Sequence, residues 1–129
     1  MRMVFINLPV RDVKRSTEFF RELGFEFNDE FASESTAAMA IAENVLVMLL
    51  TEEHFKSFIN GEIADATSVK EVLTCLTAES REEIDEMVAR AIAAGGKPWK
   101  PATEHGPMYG GSFQDLDGHV WELAHMPQA

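Results

Sequence analysis

The sequence predicts an α+β fold built from two halves that share the order strand, helix and three further strands. Alternating apolar residues open each half, which is the periodicity of a strand. An amphipathic helix that ends at glycine follows each opening strand, at Gly24 in the first half and at Gly95-Gly96 in the second. The 129 residues suit one domain, with module one over about residues 1–65 and module two over about residues 66–129.

The first half begins with a strand over Met3–Val10 whose two faces are both largely apolar. Asp12 then caps a helix in which apolar residues recur at helical spacing. The later elements are, in order, short strands around Phe25–Phe31 and over Ser35–Ala42, a turn at Glu43-Asn44, a strand over Val45–Leu50, a surface helix over Glu52–Asn60 and a polar connection over Gly61–Ser68.

The second half repeats this order, beginning with a strand over Val69–Ala78. Ser80 and Glu83 form a capping box at the start of a helix. Three strand candidates follow, over Trp99–Thr103, Met108–Gln114 and His119–His125. Pro98 and Pro101 make the first of these an edge or irregular strand. Aligning the two halves at their turns places Met48 opposite Glu122.

Composition excludes several classes of partner. The formal net charge is −11, from 22 acidic and 11 basic residues, and no basic stripe exists. We therefore expect no nucleic-acid and no membrane partner. The chain's only cysteine, Cys75, rules out an intrachain disulfide, and the N-terminal apolar run is too short to span a bilayer. These features predict a cytoplasmic protein.

Three motifs carry a resemblance to a known family. They are Val10-Arg11-Asp12 with Leu23-Gly24-Phe25, Ser80-Arg81-Glu82-Glu83 with Ala94-Gly95-Gly96, and the run from Phe113 to Leu123 that contains Asp115-Leu116-Asp117-Gly118. With these motifs the chain resembles the vicinal oxygen chelate superfamily, which includes glyoxalase I, bleomycin-resistance proteins and extradiol dioxygenases. Leu116 replaces the proline that is usual in the family. The resemblance implies two βαβββ modules whose mixed sheets curl into a cup with flanking helices, and it implies a homodimer.

Metal-dependent members of that superfamily place one ligand on each of four cup-facing strands. On this chain the four positions fall at Phe5, Met48, Leu73 and Glu122, with about one residue of uncertainty at Phe5 and Leu73. One carboxylate among three apolar side chains cannot hold a divalent metal. The four histidines do not supply the missing ligands. His105 could reach over the mouth of the cup from its loop, although an exposed position is favoured, and His54, His119 and His125 are expected on the surface, at the rim or facing away from Glu122. We therefore expect no metal site and no cofactor.

The lining of the cup follows from strand alternation. It predicts ligand-binding roles for Phe5, Asn7, Met48, Leu73, Cys75 and Glu122. In the glycine-rich segment 106–111, Met108 and Tyr109 could cover the ligand, with Trp99 nearby as a stacking surface, or the segment could be an ordinary hairpin connection. The same apolar stripes would also suit a collapsed core, and Glu122 could instead face solvent or pair with an arginine. Cys75 has no basic neighbour in sequence, which favours a packing role over a nucleophilic one.

Two functions fit these residues. One is a glyoxalase- or bleomycin-resistance-like protein that binds a small organic molecule in an apolar cup without metal. The other is an enzyme of the superfamily, a lyase, isomerase or dioxygenase, with Glu122 as the candidate catalytic residue and with or without a divalent metal. The sequence leaves open whether the chain is an enzyme, and it does not identify the ligand.

Overall fold

A computed structural model describes residues 2–127, and the fold divides into two compact units that meet between Ala64 and Asp65. The α+β class is confirmed. In the N-terminal unit the elements are β1 (Val4–Val10), α1 (Val13–Glu22), β2 (Glu26–Phe27), a 3₁₀ turn (Asp29–Phe31), β3 (Thr36–Ala42), β4 (Val45–Thr51) and α2 (Glu52–Lys56). In the C-terminal unit they are β5 (Leu73–Thr77), α3 (Arg81–Ala93), β6 (Lys97–Pro98), β7 (Thr103–His105), β8 (Met108–Gln114) and β9 (Val120–His125).

The sheet of the N-terminal unit has the strand order β1-β4-β3-β2. The first pair, β1 and β4, is parallel, and the others are antiparallel. Asp12 caps α1 by accepting a hydrogen bond from the backbone N–H of Arg15 at 3.0 Å. The helix buries Phe19 and Phe20, so its apolar stripe anchors it to the sheet.

One face of this sheet is packed with apolar side chains. Alternate residues of the central strands, Leu46, Met48 and Leu50 on β4 with Ala38 on β3, form a buried cluster. Phe55 of α2 packs against the same cluster. The short helix that follows β4 therefore covers this face.

The sheet of the C-terminal unit has the order β5-β9-β8-β6, and β7 pairs with the outer part of β8. Again the first and last strands, β5 and β9, are parallel. Helix α3 packs against β8 so closely that a Cβ atom on Gly111 would lie 2.6 Å from Cγ2 of Ile84. Trp121 and Leu123 are buried on β9, on the helix side of the sheet.

Several predicted boundaries differ from the structure. The strand predicted around Phe25–Phe31 stops at Phe27, because the Asn28 side chain accepts a hydrogen bond from the backbone of Glu30 at 2.9 Å and starts the 3₁₀ turn. The helix predicted over Glu52–Asn60 ends at Lys56.

In the C-terminal unit the strand predicted from Val69 begins only at Leu73, because Asp65 organises a turn by accepting from the backbone of Thr67 at 3.0 Å. Strand pairing moves from the predicted Trp99–Thr103 to β6 and β7, since Pro101 has no N–H to donate. The unit therefore has four strands after its helix instead of three. Among the described residues, no helix has the length and apolar character needed to cross a membrane.

Candidate functional site

The C-terminal unit contains a pocket of about 490 Å³ on the face of its sheet that α3 leaves uncovered. Strands β5, β8 and β9 form its floor, and the segment 100–105 forms a wall. Its lining includes Cys75, Lys100, His105, Met108, Ser112 and Glu122. Every lining residue belongs to the C-terminal unit.

Strand register places Glu122 at the centre of the pocket floor. Cys75 lies beside it on the parallel strand β5, and Ser112 lies beside it on the antiparallel strand β8. Ser112 is buried, and its hydroxyl accepts from the backbone N–H of Lys100 at 3.1 Å and donates to the Lys100 carbonyl at 3.3 Å. The Ser112 side chain therefore joins the wall to the floor.

The carboxylate of Glu122 is a polar group of the pocket without a partner among the described residues. It is partly buried, and within residues 2–127 it takes part in no hydrogen bond and no ion pair. Withdrawing a carboxylate from water without giving it a partner costs free energy. A bound molecule with a hydrogen-bond donor would supply that partner.

The packing role expected for Cys75 is wrong, because its side chain is exposed and lines the pocket. Strand β5 lies at the sheet edge, and nothing within the described part of the C-terminal unit covers this face of it. Partial burial raises the pKa of the Cys75 thiol, and the neighbouring Glu122 charge raises it further. The thiol is therefore kept protonated, which disfavours nucleophilic attack.

The acidic turn before β9 fixes the direction of Glu122. Asp115 is buried, and its carboxylate accepts from the backbone of Asp117 at 2.9 Å, the backbone of His119 at 3.0 Å and the indole N–H of Trp121 at 3.0 Å. Burial raises the pKa of Asp115. Holding Trp121 toward the core turns its neighbour Glu122 toward the pocket, since successive side chains of a strand alternate.

Sequence reasoning missed Lys70, which packs against the same turn. Its ammonium donates to Oε1 of Gln114 at 3.0 Å, to the Gly118 carbonyl at 2.6 Å and to the Ala66 carbonyl. Gly118 has a φ of +88°, and a Cβ atom there would lie 2.8 Å from the Ala66 oxygen. A glycine within an acidic turn is the sequence signal that could have indicated such a close approach.

Trp99 and Tyr109, two predicted ligand contacts, are not in the pocket lining. The Trp99 ring has the ammonium groups of Lys70 and Lys100 at 5.2 and 5.6 Å from its centroid. Tyr109 donates to Asp85 of α3 at 2.5 Å, and this hydrogen bond raises the pKa of the Tyr109 phenol. Arg81 stacks on the Tyr109 ring and pairs with Glu104, so the β7–β8 hairpin is fastened to α3.

The other predicted contacts are dispersed. Met108 lines the pocket. Leu73 lies on β5 with 52% of its surface exposed and is not in the lining. In the N-terminal unit, Met48 is buried in the cluster covered by Phe55, and Asn7 lies beside it on β1. Phe5 is 44% exposed and packs edge-to-face on Phe31 at 5.7 Å.

The residues around Glu122 do not fit the divalent metal that the family resemblance would suggest. Its neighbours are the single thiol of Cys75 and the hydroxyl of Ser112, which is already hydrogen-bonded to the backbone. Within residues 2–127, no group of three or more His, Cys, Asp or Glu side chains could hold a metal ion. Divalent metals need several oxygen, nitrogen or thiolate donors.

Comparisons with known proteins agree with the fold. A hypothetical protein from S. aureus is 28% identical, with a TM-score of 0.84 over 97% of this chain and 94% of the other. A glyoxalase-related enzyme from Fulvimarina pelagi is 19% identical, with a TM-score of 0.82 over 98% of this chain and 89% of the other. A genomically encoded fosfomycin resistance protein from Listeria monocytogenes is 23% identical, with a TM-score of 0.68 over 95% and 91%.

A search of curated proteins finds no significant match. A family profile, however, matches residues 2–123, which is nearly the whole chain. The family resemblance drawn from the motifs is thereby confirmed. The chain belongs to the glyoxalase/bleomycin resistance protein/dioxygenase superfamily.

Proposed function

We propose that this protein binds a small organic molecule in the pocket of its C-terminal unit and does so without a divalent metal. The observation that carries the proposal is the carboxylate of Glu122, which lines the pocket and has no partner among the described residues. A ligand that donates a hydrogen bond or carries a positive charge would satisfy it.

The size and surface of the pocket support this function. Its volume of about 490 Å³ lies within the usual range for small-molecule sites. Apolar contacts come from Pro101, Met108 and Ala124, and a few polar groups lie between them. The structural neighbour from Listeria monocytogenes is named for resistance to fosfomycin, a small organic molecule, which agrees with such a role.

An enzyme is the second candidate, and the same carboxylate favours it. Within residues 2–127, no hydrogen-bond donor or cation pairs with the Glu122 carboxylate, so it could accept a proton from a bound substrate. In that case Glu122→Gln would abolish turnover while leaving affinity for the substrate largely intact. If binding alone is the function, the same variant would lower affinity, and no turnover would be found in either form.

We also propose that the protein is a homodimer. Apolar side chains are exposed along β1 and at the start of β5, among them Val4, Phe5, Val72 and Leu73. Both strands lie at sheet edges, which natural proteins tend to cover. Light scattering coupled to gel filtration should give twice the mass of 14.4 kDa. A monomer at micromolar concentration would contradict this.

The test of binding uses a thermal-shift screen of small organic molecules together with Cys75 as a reporter. A ligand at about 100 times its Kd should stabilise the fold by about 2.7 kcal/mol. Because Cys75 is the only cysteine and lines the pocket, each true ligand should slow its reaction with N-ethylmaleimide. Ligands that stabilise the fold without protecting Cys75 would place binding elsewhere and contradict the proposal.

The metal-free part of the proposal has its own test. Metal analysis of protein purified without chelators should find no divalent ion at the concentration of the protein. One tightly bound equivalent that is lost in Glu122→Gln would contradict it.

A further inference from the structure

We infer that the ligand of this pocket is a zwitterion, with a positive group held by Glu122 and a negative group held by Lys100. This inference rests on the proposed binding function and specifies the class of molecule bound. It follows from the charged side chains around one cavity, because the lining includes both an acidic residue, Glu122, and a basic residue, Lys100.

The two charges are held apart by the sheet itself. Glu122 is on β9, and the wall that carries Lys100 and His105 lies beyond β8, the neighbouring strand. Two strand spacings separate β9 from β7, about 10 Å at the backbone. Within residues 2–127, no ion pair joins Glu122 to Lys100 or to His105.

The Lys100 side chain is exposed, and its ammonium forms no ion pair within residues 2–127. The Lys100 ammonium lies 5.6 Å from the centroid of Trp99, and the backbone of Lys100 is tied to Ser112 by both its N–H and its carbonyl. His105 adds a possible hydrogen-bond donor on the same wall, within β7. Ser112 lies between Glu122 and Lys100, and Met108 and Ala124 supply apolar side chains elsewhere in the same lining.

This layout favours a molecule with both charges over a molecule with either charge alone. A simple anion would meet Lys100 but would be repelled by Glu122 and by the net charge of −11. A simple cation would satisfy Glu122 and leave Lys100 without a partner. An amino carboxylate with an apolar body satisfies both groups and fills the space between them.

The experiment compares matched probes. We would measure protection of Cys75 from N-ethylmaleimide by para-aminomethylbenzoate, and by its two halves, benzylamine and benzoate, at one ionic strength. The shorter and more flexible zwitterions gamma-aminobutyrate and epsilon-aminocaproate vary the distance between the charges. At least one zwitterion should bind about tenfold or more tightly than either half.

Single substitutions test which protein side chain holds each charged end of the ligand. Glu122→Gln should remove the advantage of the zwitterion over benzoate, and Lys100→Met should remove its advantage over benzylamine. Lys100→Arg is the matched control and should retain the advantage. Circular dichroism and thermal unfolding would verify that each variant is folded.

The outcomes separate this inference from the proposed function. If benzylamine, benzoate or an uncharged molecule protects Cys75 as well as every zwitterion does, the zwitterion inference is overturned and the binding function stands. If zwitterions bind but Lys100→Met leaves their advantage unchanged, the role of Lys100 is overturned. If no molecule in this set or in the wider screen protects Cys75, the proposed function itself fails.

Discussion

The two units share a topology but use one face of their sheets in opposite ways. In each unit the first and last long strands pair in parallel, and a helix crosses between them. In the N-terminal unit the face carrying Met48 is packed by Phe55. In the C-terminal unit the face carrying Glu122 opens into a pocket of about 490 Å³.

The strand register shows that Met48 and Glu122 occupy equivalent positions in the two sheets. Met48 lies between Asn7 and Ala38, and Glu122 lies in the same relation between Cys75 and Ser112. Helix α2 follows directly on β4, because Thr51 caps it by accepting from the backbone of His54 at 3.2 Å. The comparison teaches that one strand arrangement yields a core or a pocket according to the element that covers it.

The largest expected effect comes from exchanging the two central residues. Met48→Glu would bury a charge without a partner and should lower the free energy of unfolding by about 3 kcal/mol or more at neutral pH. Glu122→Met removes a carboxylate that has no described partner, so it should not lower the free energy of unfolding by more than about 0.5 kcal/mol. Urea unfolding measures both, and equal losses would contradict the contrast between the faces.

The second prediction tests whether Phe55 of α2 covers the closed face of the N-terminal sheet. Phe55→Ala should cost about 2 kcal/mol, less than a fully buried phenylalanine, because Phe55 is only partly buried against the cluster. Phe58→Ala is the matched control, since Phe58 follows the same helix and is 67% exposed. That control should cost less than about 0.5 kcal/mol. If both variants lose the same stability, Phe55 does not hold this face closed.

A third prediction concerns the electrostatics of the pocket. Glu122→Gln removes one of the two causes that raise the pKa of Cys75. A lower pKa means more thiolate at a given pH, so alkylation of Cys75 should become faster and its pH profile should move to lower pH. Glu82→Gln, on an exposed position of α3, is the control and should leave the profile in place. An unchanged profile in Glu122→Gln would mean that the two side chains do not interact.

The smallest effect is expected at the wall of the pocket. Tyr109→Phe deletes the hydrogen bond to Asp85, and because this contact is exposed the variant should unfold at nearly the same temperature and urea concentration as the parent protein. The β7–β8 hairpin is thus fastened to α3 by exposed contacts, whereas the closed face of the N-terminal unit is packed by buried side chains. A large loss of stability in Tyr109→Phe would contradict that distinction.

Sequence periodicity predicted the fold class and most elements because the buried strands and helices carry regular apolar patterns. Aligning the turns before β4 and β9 also placed Met48 and Glu122 at equivalent positions in the two halves. It could not predict which face is filled, since Phe55 and Tyr109 look alike as aromatic residues in polar surroundings. Phe55 packs into a core and Tyr109 binds a helix, and only tertiary contacts distinguish these roles.

The most direct test observes both faces in one experiment. The methyl groups of Met48 and Met108 report on the closed face and on the pocket, and isotope-labelled methionine makes both visible by NMR. Titration with para-aminomethylbenzoate, or with another molecule that protects Cys75, should shift the Met108 resonance and leave the Met48 resonance unchanged. Substitution of each methionine by leucine would assign the signals. A ligand that shifts Met48 and leaves Met108 unchanged would contradict the assignment of the pocket to the C-terminal unit.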